Sequence, residues 1–254
     1  MIWAAECLRL LRSARVVVLL GLYGFFSAVV LLGVALLRPL VEALVRSGFI
    51  AESGPIPLAV YGVFYLSLFF LPVYAALLGF DQLSGEVGPR SIRYLTVRAR
   101  RTSVVLGKLL AQTTLVLGLV FGLDLVLCVY AGAVAPSLQL APLALQLVKF
   151  WGTSAVFCLA FLALTSLCSS VTSTPAVSLV LNLTVLMFSL LLWMTAAADP
   201  GNPVRVLRYL SPLRYSPRLL SPHGSEVATS LGVYVLFTAL FLGGSLWALR
   251  TRDL

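Results

Sequence analysis

The chain alternates long apolar runs with short polar breaks. A bilayer crossing takes about 20 apolar residues. Six segments reach that length, at 16–37, 57–80, 103–131, 142–170, 175–198 and 227–249. Residues 1–15, "MIWAAECLRLLRSAR", are patterned differently. At helical spacing Trp3, Cys7, Leu10, Leu11 and Ala14 share one side, and Glu6, Arg9, Arg12 and Arg15 the other. This spacing predicts an amphipathic helix in the membrane interface, with its apolar face in the headgroup boundary. The polar stretch 199–226 carries prolines at 200, 203, 212, 217 and 222. Because proline limits long helices, it predicts one or two short helices lying in the interface. No soluble domain, linker or low-complexity tract interrupts the pattern. The expectation is therefore one transmembrane domain over 1–254, all-α and polytopic, with six transmembrane helices.

Composition agrees with this pattern. Hydrophobic residues make up 60% of the 254 and charged residues 11%, against about 25% charged in a soluble domain. The first run, "VVVLLGLYGFFSAVVLLGVALL", ends at Arg38-Pro39. It exceeds the about 7–15 apolar residues of a signal peptide, so it reads as a retained span. Of Cys7, Cys128, Cys158 and Cys168, three lie inside apolar runs and none forms a CxxC pair. They read as small packing residues rather than a disulfide framework or zinc site.

The formal net charge is +9. In a membrane protein this reads as an orientation signal and as contact with anionic headgroups. No basic domain stands outside the spans, so no nucleic-acid partner is expected. With the N-terminus cytoplasmic, the inner side collects Arg9, Arg12, Arg15, the basic cluster 90–108, Arg250 and Arg252. The outer side collects Arg38, Arg46, Arg205, Arg208, Arg214 and Arg218. The inner set is larger, and an even number of spans returns the C-terminus to the inside. The outer loop 199–226 runs against this bias. Its arginines suit headgroup anchoring or a polar lid over the exit path of an anionic or amphiphilic substrate.

Candidate chemistry is sparse. His223 is the single histidine and lies in a loop; HExxH is absent, and Gly107-Lys108 lacks the upstream glycine and following Ser/Thr of a phosphate loop. No catalytic or metal site is expected, and the chain should not bind ATP through such a loop. Two ionisable residues lie within spans, Asp124 and Lys149. Each is seven residues from the outer end of its span, roughly 10 Å deep, and the two spans are consecutive and antiparallel. Intramembrane charges seek partners, so an Asp124–Lys149 pair is predicted. Span two carries an aromatic stripe of Tyr61, Phe64, Tyr65 and Phe69, which suits either packing or a substrate wall. Gly118 and Gly122 form a GxxxG that permits close helix contact. Asn182 and Thr184 are candidates for interhelical hydrogen bonds.

The stretch "SGEVGPRSIRYLTVRARRTSVVLGK" (84–108) breaks two apolar runs with Arg90, Arg93, Arg98, Arg100, Arg101 and Lys108 against one acid, Glu86. Gly88-Pro89 can start a helix. Ile92, Leu95 and Ala99 would then share a face, with Arg90, Arg93, Arg98 and Arg101 at its margins. An apolar centre with an arginine rim suits protein docking.

This loop resembles the first cytoplasmic loop of type-2 ABC (ATP-binding cassette) exporter permeases. There an acid and a glycine lead a short apolar helix, and Pro-x-Ser-Arg and a Gly-Lys follow. Glu86, Gly88, Ile92, Leu95, Arg101 and Gly107-Lys108 fit; "VRAR" replaces the motif that carries proline before Arg101. The N-terminal helix, the six spans and "YLSPLRYSP" before the last span follow the family's order. The resemblance implies a permease subunit that forms a homodimer and docks two separate ATPase chains through a cytoplasmic coupling helix at about 87–99. The ATPase-docking residues would be Glu86, Gly88, Arg90, Ile92, Arg93, Leu95, Ala99 and Arg101. ATP and magnesium would belong to the ATPase, with no cofactor in this chain. Energy from that partner would drive export or extraction across the inner (cytoplasmic) membrane, along a path lined in part by Phe64, Tyr65, Phe69, Asn182 and Met187. Membrane lipids complete the expected partners. An alternative implied by related systems is an ATPase-linked mechanical or signalling subunit acting on an extracytoplasmic companion protein, in metalloenzyme maturation, surface assembly or motility.

Overall fold

A computed structural model describes residues 2–36, 58–87, 101–134, 140–195, 203–221 and 223–251. Among these, all regular structure is helical. Helix α1 (Ile2–Leu11) and α2 (Ala14–Leu36) meet at a bend of 67°. Ser13 makes the corner. Its Oγ donates to Leu10 O and accepts from Val16 N, so one hydroxyl closes α1 and caps α2. Next come α3 (Leu58–Gly79), the single turn α4 (Ser84–Val87), α5 (Arg101–Val134), α6 (Leu140–Val171), α7 (Pro175–Met194) and α8 (Gly224–Thr251). Among the described residues, five helices are long and apolar enough to cross a membrane, or six with the bent α1–α2 pair counted as one span. The chain is thus an all-α polytopic membrane protein.

Helix α5 has 34 residues and α6 has 32, so each is about 50 Å long against a hydrocarbon core of about 30 Å. Both must project beyond the lipid. Helix α6 is the central post, touching α3, α5, α7 and α8. Phe157, Cys158, Phe161, Leu162 and Leu164 from it are buried in the main core. In lipid, helix association depends on close fit and interhelical hydrogen bonds rather than on the hydrophobic effect. The contacts have that character. Ser166 and Ser245 hydroxyls meet at 3.2 Å between α6 and α8. At the α3–α6 crossing, a Cβ on Gly79 would stand 2.7 Å from Thr165 Cγ2. Ser169 Oγ accepts from Leu83 N and Ser84 N and donates to Phe80 O, tying the end of α3 and all of α4 to the central post.

The GxxxG of α5 does not serve this purpose within the chain. Nothing lies within 4 Å of a Cβ built on Gly118 or Gly122. Close approach is instead made at Gly79 and at Gly244, whose Cβ would meet Leu167 Cδ1 at 3.1 Å.

Between α7 and α8 the described residues form three 3-10 helices, Pro203–Leu210, Pro212–Tyr215 and Pro217–Leu220. Each opens on proline, whose fixed φ and missing N–H suit a first helical position. The count exceeds the one or two read from the sequence because each proline after the first restarts the helix. Two buried bonds hold this segment down: Ser211 Oγ to Ser189 O of α7, and Tyr234 Oη of α8 to Pro212 O, both 2.7 Å.

Candidate coupling site

Lys108 lies two turns into α5 and is 4% exposed. An ammonium removed from water must be matched by anions. Two carboxylates do so: Nζ donates to Glu6 Oε1 of α1 and to Glu86 Oε1 of α4, each at 2.7 Å. Arg9 completes the cluster from the surface, 3.7 Å from Glu6 and 3.8 Å from Glu86. Three elements far apart in sequence thereby share one charge centre.

Helix α1 lies along the start of α5. Trp3 Nε1 donates to Thr114 Oγ1 at 3.1 Å, and Cys7 Sγ is 3.9 Å from Ala111 O. This revises the faces expected of α1. Glu6 does not look to water with the arginines; it turns toward α5 beside Trp3 and Cys7, while Leu8 and Leu11 are exposed. The demand of the buried Lys108 outweighs the amphipathic pattern. Beyond residues 88–100, Arg101 Nη1 donates to Leu249 O at 2.8 Å, so a guanidinium meets a carbonyl of the last turn of α8. A cation is favoured there by the helix dipole. Glu86 and Arg101 thus stand on either side of residues 88–100 and are themselves tied to α1, α5 and α8.

Six proposed docking residues, Gly88, Arg90, Ile92, Arg93, Leu95 and Ala99, lie outside the described residues. The side chains of Phe64 and Tyr65 on α3 do so as well. Of the remaining path candidates, Phe69 and Met187 are exposed on α3 and α7. Asn182 is not. It is fully buried and donates from Nδ2 to Thr165 Oγ1 at 2.8 Å, fastening α7 to α6. Thr184 turns back on its own helix, to Val180 O.

The expected Asp124–Lys149 pair is not formed. Asp124 is buried with Oδ2 unpartnered, whereas Lys149 is exposed. The depth argument places both residues at one level but says nothing of azimuth. Each residue turns a helix by 100°, so two side chains at one depth can face different surroundings. Trp151 fills the α5–α6 seam in their place. It donates Nε1 to Leu117 O at 3.1 Å and meets Phe121 edge-on at 5.7 Å.

Lys108 is visible in the sequence as half of Gly107-Lys108, but its partner Glu6 lies 102 positions away, beyond any local pattern. The available signal is that Glu6 is the lone acid among three arginines of the N-terminal segment. A search among curated proteins finds no match. The cluster and the spans lie in a chain whose residues 40–254 match the family model described as "ABC-2 family transporter protein". The chain therefore belongs to the ABC-2 transporter family, as a permease subunit of an ABC transporter.

Proposed function

We propose that this chain couples ATP hydrolysis by a separate ABC ATPase to export or extraction of a substrate across the membrane. The carrying observation is the Glu6–Lys108–Glu86 cluster. Glu86 stands at the entry of the 88–100 loop, Lys108 just beyond its exit, and Glu6 on the helix laid across α5. A push on the loop meets three elements pinned at one point. Displacement then passes into α5 and α1 together and is not lost in a slack connection. Arg101 carries the same push into the end of α8. Family membership supports an ABC ATPase as the partner.

In this reading Ile92, Leu95 and Ala99 form the apolar centre that the ATPase covers, with Arg90, Arg93 and Arg101 at the rim. Two permease chains form the complex, with both termini in the cytoplasm. Exposed apolar side chains on α7 and α8, among them Val180, Met187, Leu236 and Leu240, suit lipid or the second copy. The test replaces Ile92 and Leu95 together with Asp in the reconstituted complex. Partner-stimulated ATP hydrolysis should be lost while membrane insertion is unchanged. Undiminished stimulation would show that docking lies elsewhere.

A further inference from the structure

The 203–220 segment lies at the opposite pole of the bundle from Lys108. It leads into the start of α8, whereas Arg101 meets that helix's other end at Leu249. Residues 203–221 include Arg205, Arg208, Arg214 and Arg218 and no Asp or Glu. Among the described residues, Arg208, Arg214 and Arg218 form no ion pair.

Two of these arginines share one aromatic ring. Arg214 Cζ is 3.5 Å from the Tyr209 ring centroid, and Arg208 Cζ is 5.2 Å from it. A guanidinium over a tyrosine face is attracted by the ring quadrupole. That attraction holds each cation to the ring but does nothing to cancel their mutual repulsion. Tyr215 Oη donates to Tyr209 O at 3.2 Å and fixes the backbone beneath the ring. Arg208 Nε and Arg214 Nη1 are buried and have no hydrogen-bond acceptor among the described residues. Two cations are therefore gathered here, and among the described residues no anion meets them.

The surroundings indicate where this pair sits. Val206, Leu207 and Leu210 are exposed on the same 3-10 helix. Water would leave those side chains uncovered, and hydrocarbon would strand the arginines. The boundary between the two satisfies both, and tyrosine is enriched at that level. Anions present at this depth are lipid phosphates, which match guanidinium donors in geometry as well as charge.

We infer that Arg208 and Arg214, held on Tyr209, bind the phosphate of an anionic phospholipid headgroup at the membrane boundary opposite the Lys108 pole. The site anchors the 203–220 segment to lipid and stands independently of the ATPase-coupling proposal. Free phosphate carries the same chemistry, so the experiment separates the two sources. The full-length protein in uncharged detergent is titrated with phosphatidylglycerol, phosphatidylcholine or inorganic phosphate. Bound lipid is counted by native mass spectrometry, and thermal unfolding is followed in parallel. Wild type should retain phosphatidylglycerol in preference to phosphatidylcholine, and Arg208→Gln/Arg214→Gln should lose about five-fold of that preference per arginine. If the double variant fails to fold, Arg208→Lys/Arg214→Lys keeps the charge without the planar fork and should show an intermediate preference. The inference is overturned if wild type shows no preference, or if the folded variants keep the wild-type preference. Protection by millimolar inorganic phosphate equal to that by phosphatidylglycerol would replace the lipid with a free anion and also overturn it.

Discussion

The two poles of the bundle both gather basic side chains, but they satisfy them differently. At one pole Lys108 is buried, and Glu6 and Glu86 of the same chain each meet it at 2.7 Å. At the other, Arg208 and Arg214 share Tyr209 with no acid from residue 203 to 221. A cation neutralised internally fastens elements together, because moving one partner strands the others. A cation held on a tyrosine and met by no acid remains available to an external anion. Positive charge in this membrane protein therefore serves as an internal joint at one end and as a contact surface at the other.

The difference can be broken most severely at the joint. Lys108→Met leaves two inward-facing carboxylates without their cation and should lower unfolding stability by about 3 kcal/mol. Thermal denaturation in detergent measures it, and a change no larger than that of an exposed Arg9→Met control would count against an internal joint. Gly79→Ala strikes the packing near the same pole. Its Cβ would lie 2.7 Å from Thr165 Cγ2 and 3.0 Å from Gln112 Oε1, and forcing it in should cost about 1–3 kcal/mol. At the other pole, Tyr234→Phe removes the bond to Pro212 O that ties the 203–220 segment to α8, worth about 1 kcal/mol. Its sharper signature is local, as faster proteolysis within 203–220 while the helices stay protected.

The smallest effect separates the poles by pH. Hydrogen bonding from Arg208 and Arg214, and then their charge, push the Tyr209 phenol down to about 8. Among the described residues Arg208, Arg214 and Tyr215 face it, and the adjacent α7 contains no ionisable residue. A lowered phenol pKa means that the phenolate forms as pH rises through about 8. The phenolate supplies the missing negative charge and competes with a lipid phosphate. Preference for phosphatidylglycerol should therefore fall as pH rises through that value in wild type and stay level in Tyr209→Phe. Equal behaviour of the two would remove Tyr209 from the site.

How much of this was legible in the sequence follows from the range of each interaction. The spans are set by local composition, so α2, α3 and α5 to α8 lie on the six apolar runs. The prolines of 199–226 announce a broken segment for the same local reason. The Lys108 cluster joins residues 102 and 22 positions apart, which no local period encodes. There the amphipathic pattern of residues 1–15 was misleading, since Glu6 sits among arginines yet turns inward. Asp124 and Lys149 show the complementary failure. Counting residues along two antiparallel spans gives depth, but the facing of each side chain depends on how the helices roll against α6. Asn182, equally polar in an apolar run, found its partner because Thr165 lies on the adjoining helix at the matching azimuth.

Coupling through the Lys108 cluster is tested most directly with Glu6→Gln in the permease–ATPase complex reconstituted in liposomes. Glu6 lies far from residues 88–100 in sequence and meets Lys108 directly, while Glu86 remains to pair the lysine. Retention of the ATPase on the liposomes and the permease-dependent change in ATP hydrolysis are measured together. Coupling predicts that the ATPase stays bound while the permease-dependent change shrinks about five-fold or more. Full retention of both binding and rate modulation in the folded variant would contradict transmission through this cluster.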